Sequence, residues 1–142
     1  MSVSFHRENV SLNADEKLII KWLTNSVNSL DYSIGELSFV FCSDDYLRKL
    51  NIKHLNQDYF TDVITFDYSK EMSLIGDVFI STERVKENAK LFNVSFNEEL
   101  FRVIIHGVLH LCGFKDKTKE EKAEMRSKEN DFLSLINCKT SS

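Results

Sequence analysis

Between Ser95 and Gly113 the chain reads SFNEELFRVIIHGVLHLCG, and this stretch does most to limit the fold. Ser95-Phe96-Asn97-Glu98 has the spacing of a capping box, in which a serine and a glutamate three residues on satisfy the free amides of a helix start. Leu100, Val103, Ile104, Val108, Leu109 and Leu111 follow, so apolar side chains nearly surround the helix. A helix that is apolar all round must be buried, and the rest of the chain has to supply what buries it. Gly113 suits its end, because glycine adopts the left-handed backbone that closes a helix C-terminus.

The flanking segments supply both kinds of partner. Val3 and Phe5 alternate with polar residues, as in a short first strand. Asn13 is a candidate cap for a helix to about Asn28, with Leu18, Ile19, Trp22, Leu23 and Val27 on one face. Ile34 to Ser43 predicts a second strand. DDYLRKLNIKHL then predicts an amphipathic helix capped by Ser43 or Asp44. Asp62 to Phe66 and LIGDVFIS are β-branched and aromatic, hence strands. A helix from Ser81 or Thr82 carries Val85, Ala89 and Leu91. A second capping box, Thr118 to Glu121, opens a last helix through Met125 and Phe132. The expected class is α+β, α/β-like: a small mixed sheet of about four strands packed against about five helices. At 142 residues and 42% hydrophobic, the chain fits a single domain over residues 1–142 with a real core.

The formal net charge of −4 gives no overall field to attract nucleic acid, so an anionic partner needs a local basic or metal-centred site. Cys42, Cys112 and Cys138 are odd in number and form no CxxC pair, which predicts a reducing compartment. The N-terminus lacks a signal-like apolar core, and no apolar run approaches the ~20 residues that span a bilayer. The expectation is a soluble, cytoplasmic protein without membrane association.

Chemistry concentrates in HGVLHLCGFKD, His106 to Asp116. Residues four apart share a helix face, so His106 and His110 project together and two neutral imidazoles can ligate one metal ion. Two packed or surface histidines would show the same spacing. The continuation narrows the choice: Gly113 can turn the chain back, and Asp116 in the following connection could return to the same ion. Asp116 could equally be a solvated loop acid, although Thr118 is the better cap of the last helix. Gly107 stands where H-E-x-x-H proteases carry their general base. Glycine there costs a helix about 1 kcal/mol relative to alanine, which points to close helix–strand packing. Cys112 lies on a different helical face and reads as core.

HGVLHLCGFKD resembles the signature of the YbeY endoribonucleases, H-G-x-L-H-L-x-G-aromatic-D-H, at His106, Gly107, Leu109, His110, Leu111, Gly113 and Phe114. Leu50 to Phe66 and Ile75 to Ser81 resemble the family's other two blocks, in the same order and spacing. The resemblance covers roughly Ile34 to Leu133. It implies a metal-dependent endoribonuclease that cuts single-stranded RNA and acts in 16S rRNA 3′-end maturation and ribosome quality control. It also implies one Zn²⁺ held by His106, His110 and Asp116, with water in the open fourth position, and the small ribosomal subunit or its proteins as partner. Asp62 would help orient the attacking water. Lys53, His54, Thr61 and Lys115 are candidates to bind substrate, with Lys117 a further phosphate contact. Asp77, an acid in an otherwise apolar strand, is a candidate second-layer acceptor for the ring N–H of a ligating histidine.

The chain departs from the family pattern in three places. Its closing Asp-His is Lys115-Asp116 here, which makes the third ligand a carboxylate. Such a site carries one positive charge fewer, acidifies water less and favours harder ions such as Mn²⁺. Leu55 stands where the family has an arginine thought to face phosphate, leaving Lys53 and His54 as the nearest basic groups. Phe60 replaces a proline, in a chain with none. Two rival readings remain: a metal hydrolase of another substrate, peptide included, and an RNA- or ribosome-binding assembly factor with a structural metal. Gly107 argues against peptide hydrolysis. An open coordination position separates enzyme from structural site.

Overall fold

The computed structural model describes residues 1–55 and 61–136. The elements in chain order are β1 (Ser2–Arg7), α1 (Glu16–Asn28), β2 (Ser33–Cys42), α2 (Asp44–Leu55), β3 (Val63–Asp67), β4 (Ser73–Ser81), α3 (Thr82–Leu91), α4 (Phe96–Leu111) and α5 (Lys119–Leu133). The strands form one sheet in the order β1-β2-β4-β3. β1, β2 and β4 run parallel, and β3 joins antiparallel at the edge. The molecule is thus α+β with a four-stranded mixed sheet and five helices among the described residues, as the sequence predicts.

The period of two along β4 separates the sheet faces. Leu74, Gly76, Val78 and Ile80 are buried and point toward α4. Ile75, Asp77 and Phe79 point the other way, where Leu47 and Leu50 of α2 cover Cys42, Ile64, Phe66 and Phe79. The larger core lies on the α4 face and includes Ile19 and Leu23 of α1, Phe39 and Phe41 of β2, and Met125 and Phe132 of α5. Trp22 fastens α1 to the end of α5 by donating from Nε1 to the Phe132 carbonyl at 2.8 Å.

α4 is the central helix, and Gly107 lets it approach the sheet. A Cβ at Gly107 would lie 2.9 Å from Val78 Cγ1, 3.4 Å from Thr65 Cγ2 and 3.5 Å from Val63 Cγ2, all side-chain atoms of β3 and β4. This is the helix–strand contact expected of that glycine.

Local details differ from the sequence reading in two places. α1 is capped by Asp15, which accepts from the Leu18 amide at 3.2 Å, and not by Asn13, which lies before the helix begins. Leu91 is 76% exposed, because α3 ends there and only Val85 and Ala89 face inward. Cys112 is buried as expected, while Phe60 and Cys138 lie outside the described residues.

Candidate metal centre

The end of α4 builds the site. Gly113 has φ +94°, its amide donates to the His110 carbonyl, and the Phe114 amide donates to the Leu109 carbonyl, both at 3.0 Å. This is the Schellman closure of a helix, which requires a left-handed residue and so favours glycine. The reversal brings the Phe114 carbonyl back to accept from His110 Nδ1 at 3.0 Å. Two residues on, Asp116 lies over the histidine pair.

The three side chains meet at one point. His106 Nε2 and His110 Nε2 are 3.0 Å apart, and each is 3.3 Å from Asp116 Oδ2. Tetrahedral bonds of about 2.1 Å hold ligand atoms about 3.4 Å apart, so the triangle has the dimensions of a metal's ligand set. The hydrogen bonding agrees. His106 Nδ1 faces Glu129 Oε2 at 2.6 Å and His110 Nδ1 faces a carbonyl, so both Nδ1 atoms carry the proton. In the neutral rings both Nε2 lone pairs then converge with a carboxylate oxygen, an arrangement that calls for a cation between them. Among the described residues, His106, His110 and Asp116 are the only group of this kind that could hold a metal ion.

Glu129 and Arg102 are the participants that sequence reading missed. Glu129, 5% exposed on α5, receives His106 Nδ1–H and also Arg102 Nη1 at 2.9 Å. Arg102 also donates to Asn130 Oδ1 at 2.9 Å. Burial alone would raise the Glu129 pKa, but the hydrogen bonds from His106 and Arg102 outweigh it and hold it below the ordinary value. For His106, burial disfavours the imidazolium, yet the bond and charge of Glu129, with Asp62 and Asp116, push its pKa up.

Asp62 lies half-buried just before β3, and its carbonyl accepts from the Ser81 amide. Burial raises its pKa against the opposing pull of His106 and nearby backbone amides. Asp62, Thr61 and Thr65 line a cleft of about 270 Å³ together with His106, His110 and Asp116. Asn51 of α2 also lines it, a contact no spacing in the sequence reveals.

The remaining predicted residues lie elsewhere. Asp77 is not the acceptor for a ligating histidine: Glu129 and the Phe114 carbonyl fill that role, and Asp77 points to the opposite sheet face. Lys53 and His54 are exposed on α2 and are not among the described residues lining the cleft, and the His54 ring packs edge-on to Phe66 at 5.6 Å. Lys115 is exposed beside Asp116, and Lys117 is exposed in the same connection. The side chain of Leu55 lies outside what the structure describes.

Glu99 adds a titration of its own. It is 4% exposed on α4, and burial, with the charge of Asp62, raises its pKa to about 7 against the pull of Arg102 and Arg126. Between the ordinary 4.5 and about 7 the folded state holds a proton that the unfolded state releases, so stability falls as pH rises through that window. The expected loss from Glu99 is roughly 3 kcal/mol. Urea unfolding at pH 5 and pH 8 should therefore show a smaller decline for Glu99→Gln than for the wild type. Equal declines would mean that the folded carboxyl ionises normally.

The family model described as Endoribonuclease YbeY matches residues 2–137. The chain is 46% identical over 134 residues to Endoribonuclease YbeY of Christiangramia forsetii, with 94% of each chain covered. It is 49% identical over 125 residues to the Flavobacterium psychrophilum protein of the same name, covering 88% of this chain and 89% of the relative. The solution structure of a Thermotoga maritima protein matches with a TM-score of 0.66 at 28% identity, over 93% of this chain and 87% of that one. These relatives extend the likeness from roughly Ile34–Leu133 to nearly the whole chain, which belongs to the endoribonuclease YbeY family.

Proposed function

We propose that this protein is a metal-dependent endoribonuclease that cuts single-stranded RNA and acts in 16S rRNA 3′-end maturation and ribosome quality control. The observation that carries the proposal is the triangle of His106 Nε2, His110 Nε2 and Asp116 Oδ2, with both ring protons directed outward. Family membership supplies the substrate class. Three protein donors, among the described residues, is the number found in catalytic zinc sites, whereas structural sites use four. We assign Zn²⁺ to them.

Such a cation supplies Lewis acidity toward a phosphoryl oxygen and makes water acidic enough to attack near neutral pH. The protein's own groups do the rest. Glu129 fixes the ring and tautomer of His106, and the Phe114 carbonyl does so for His110. The Asp62 carboxylate, beside His106 in the cleft, orients the attacking water and accepts its proton. Thr61 in the cleft and Lys115 at its rim contact substrate, and Lys53 and His54 flank the longer path of the strand. The partner is the small ribosomal subunit, and the compartment is the cytoplasm. No helix is long and apolar enough to cross a membrane, among the described residues.

The carboxylate ligand gives its own prediction. Asp116→Ala should weaken metal binding, and Asp116→His, which restores the family's imidazole, should preserve or strengthen it. Calorimetric titration with Zn²⁺ checks both. Equal affinity in wild type and Asp116→Ala would remove Asp116 from the ligand set.

Substrate class is tested with one RNA carrying the 3′ region of 16S rRNA, supplied as a single strand and as a duplex. The metal-loaded protein should cut the single strand and spare the duplex. Equal cutting of both would end the single-strand assignment.

A further inference from the structure

Beside the metal cleft, and sharing Asp62, His106 and Asp116 with it, lies a second cavity of about 400 Å³. It opens between the end of α3, the middle of α4 and the face of α5 that carries Lys122, Met125, Arg126 and Glu129. The volume falls in the range of about 300–1,000 Å³ typical of small-ligand pockets.

Its walls select against a phosphate. Asp62, Glu99, Asp116 and Glu129 all line it, and Arg102 is already committed to Glu129 and Asn130. The other cations, Lys122 and Arg126, are exposed residues of α5, and the 58% exposed Arg126 side chain is itself 3.7 Å from Glu129 Oε1. An anion inside would meet mostly carboxylates. A neutral, flat group with hydrogen-bonding edges would meet the same carboxylates without charge repulsion.

Phe92 offers such a group a platform. Phe92 lines the cavity while remaining 53% exposed, so its side chain is accessible to a ligand there. The backbone holds it in place: its amide donates to the Asn88 carbonyl at 2.9 Å, and Asn93 turns the chain with φ +56°. Asn88 lines the same cavity, as does Glu99, a residue 4% exposed.

From this arrangement we infer that the cavity is a nucleobase subsite, in which a base next to the cleaved phosphate stacks on Phe92 and presents its edge to Asn88 and Glu99. Lys122 and Arg126 at the rim then meet the backbone of the same strand. The inference rests on the proposed endoribonuclease reading and adds a cause for strand preference. A base can enter only if it leaves its stack, which is cheap in a single strand and costly in a duplex.

Phe92→Ala and Phe92→Tyr test it, using a fluorescent single-stranded RNA and a series made abasic at one position at a time. Two quantities are read: the KM for cutting by metal-loaded protein, and the anisotropy Kd of chelator-treated protein. Loss of one stacked base should raise both by roughly 5- to 150-fold in Phe92→Ala. Phe92→Tyr should restore them, and metal content should stay at the wild-type level in both variants. One abasic position should cost the wild type a similar factor and cost Phe92→Ala little more. Unchanged KM and Kd in Phe92→Ala, or an abasic penalty that persists in it, would overturn the subsite while leaving the nuclease assignment intact. A wild type that neither binds nor cuts RNA would overturn both.

Discussion

Replacing His110 with alanine should strip the protein of its metal and leave its fold in place. His110 supplies one of three donor atoms, and each of its Nε2 contacts is with another member of the set. Changes to the supporting partners of ligands typically cost 10- to 100-fold in affinity, so loss of a ligand itself should exceed about 100-fold. The fold should survive because His110 is only half-buried on α4 and alanine is the best helix former. Elemental analysis after dialysis, with circular dichroism on the same sample, separates the two effects. Metal content equal to wild type would remove the site from the account.

Glu129→Ala should affect both stability and metal. The Glu129 carboxylate is buried and shared between Arg102 and His106. Removing one partner of a buried pair leaves the other charge without compensation, at about 3–5 kcal/mol. For a chain of this size that corresponds to a melting temperature lower by roughly 10 °C. The freed His106 ring should also lose orientation, weakening metal binding by about 10- to 100-fold. Glu129→Gln keeps an acceptor for Nδ1–H, so it should lose less of both. Melting curves of the metal-free proteins isolate the stability effect, and Zn²⁺ titration reads the other. A metal-free Glu129→Ala protein that melts like wild type would show the ion pair to be dispensable.

The parts of this site that sequence reveals are those governed by local periodicity. His106 and His110 are four apart on one helix, and Gly113 marks where the helix must end, so the pair and the return of the chain to Asp116 are legible together. Thr61 and Asp62 come from the family resemblance, and the fold sets them just before β3 in the cleft. Glu129 was invisible for the opposite reason. Its bond to His106 spans 23 residues, and it sits among the many charged residues of α5. Only the packing of α5 on α4 turns that glutamate inward. Asp77 failed through a single parity: its neighbours Gly76 and Val78 face α4, so Asp77 cannot. Deciding that from sequence would require knowing which face of the sheet α4 covers.

The most direct measurement is cleavage of one single-stranded RNA by three preparations: the metal-loaded protein, the same protein after chelation, and His106→Ala. The account predicts cutting by the first, none by the other two, and recovery when metal is returned to the chelated sample but not to His106→Ala. Cutting that persists in both depleted preparations would contradict it, since the chemistry would then arise away from His106, His110 and Asp116.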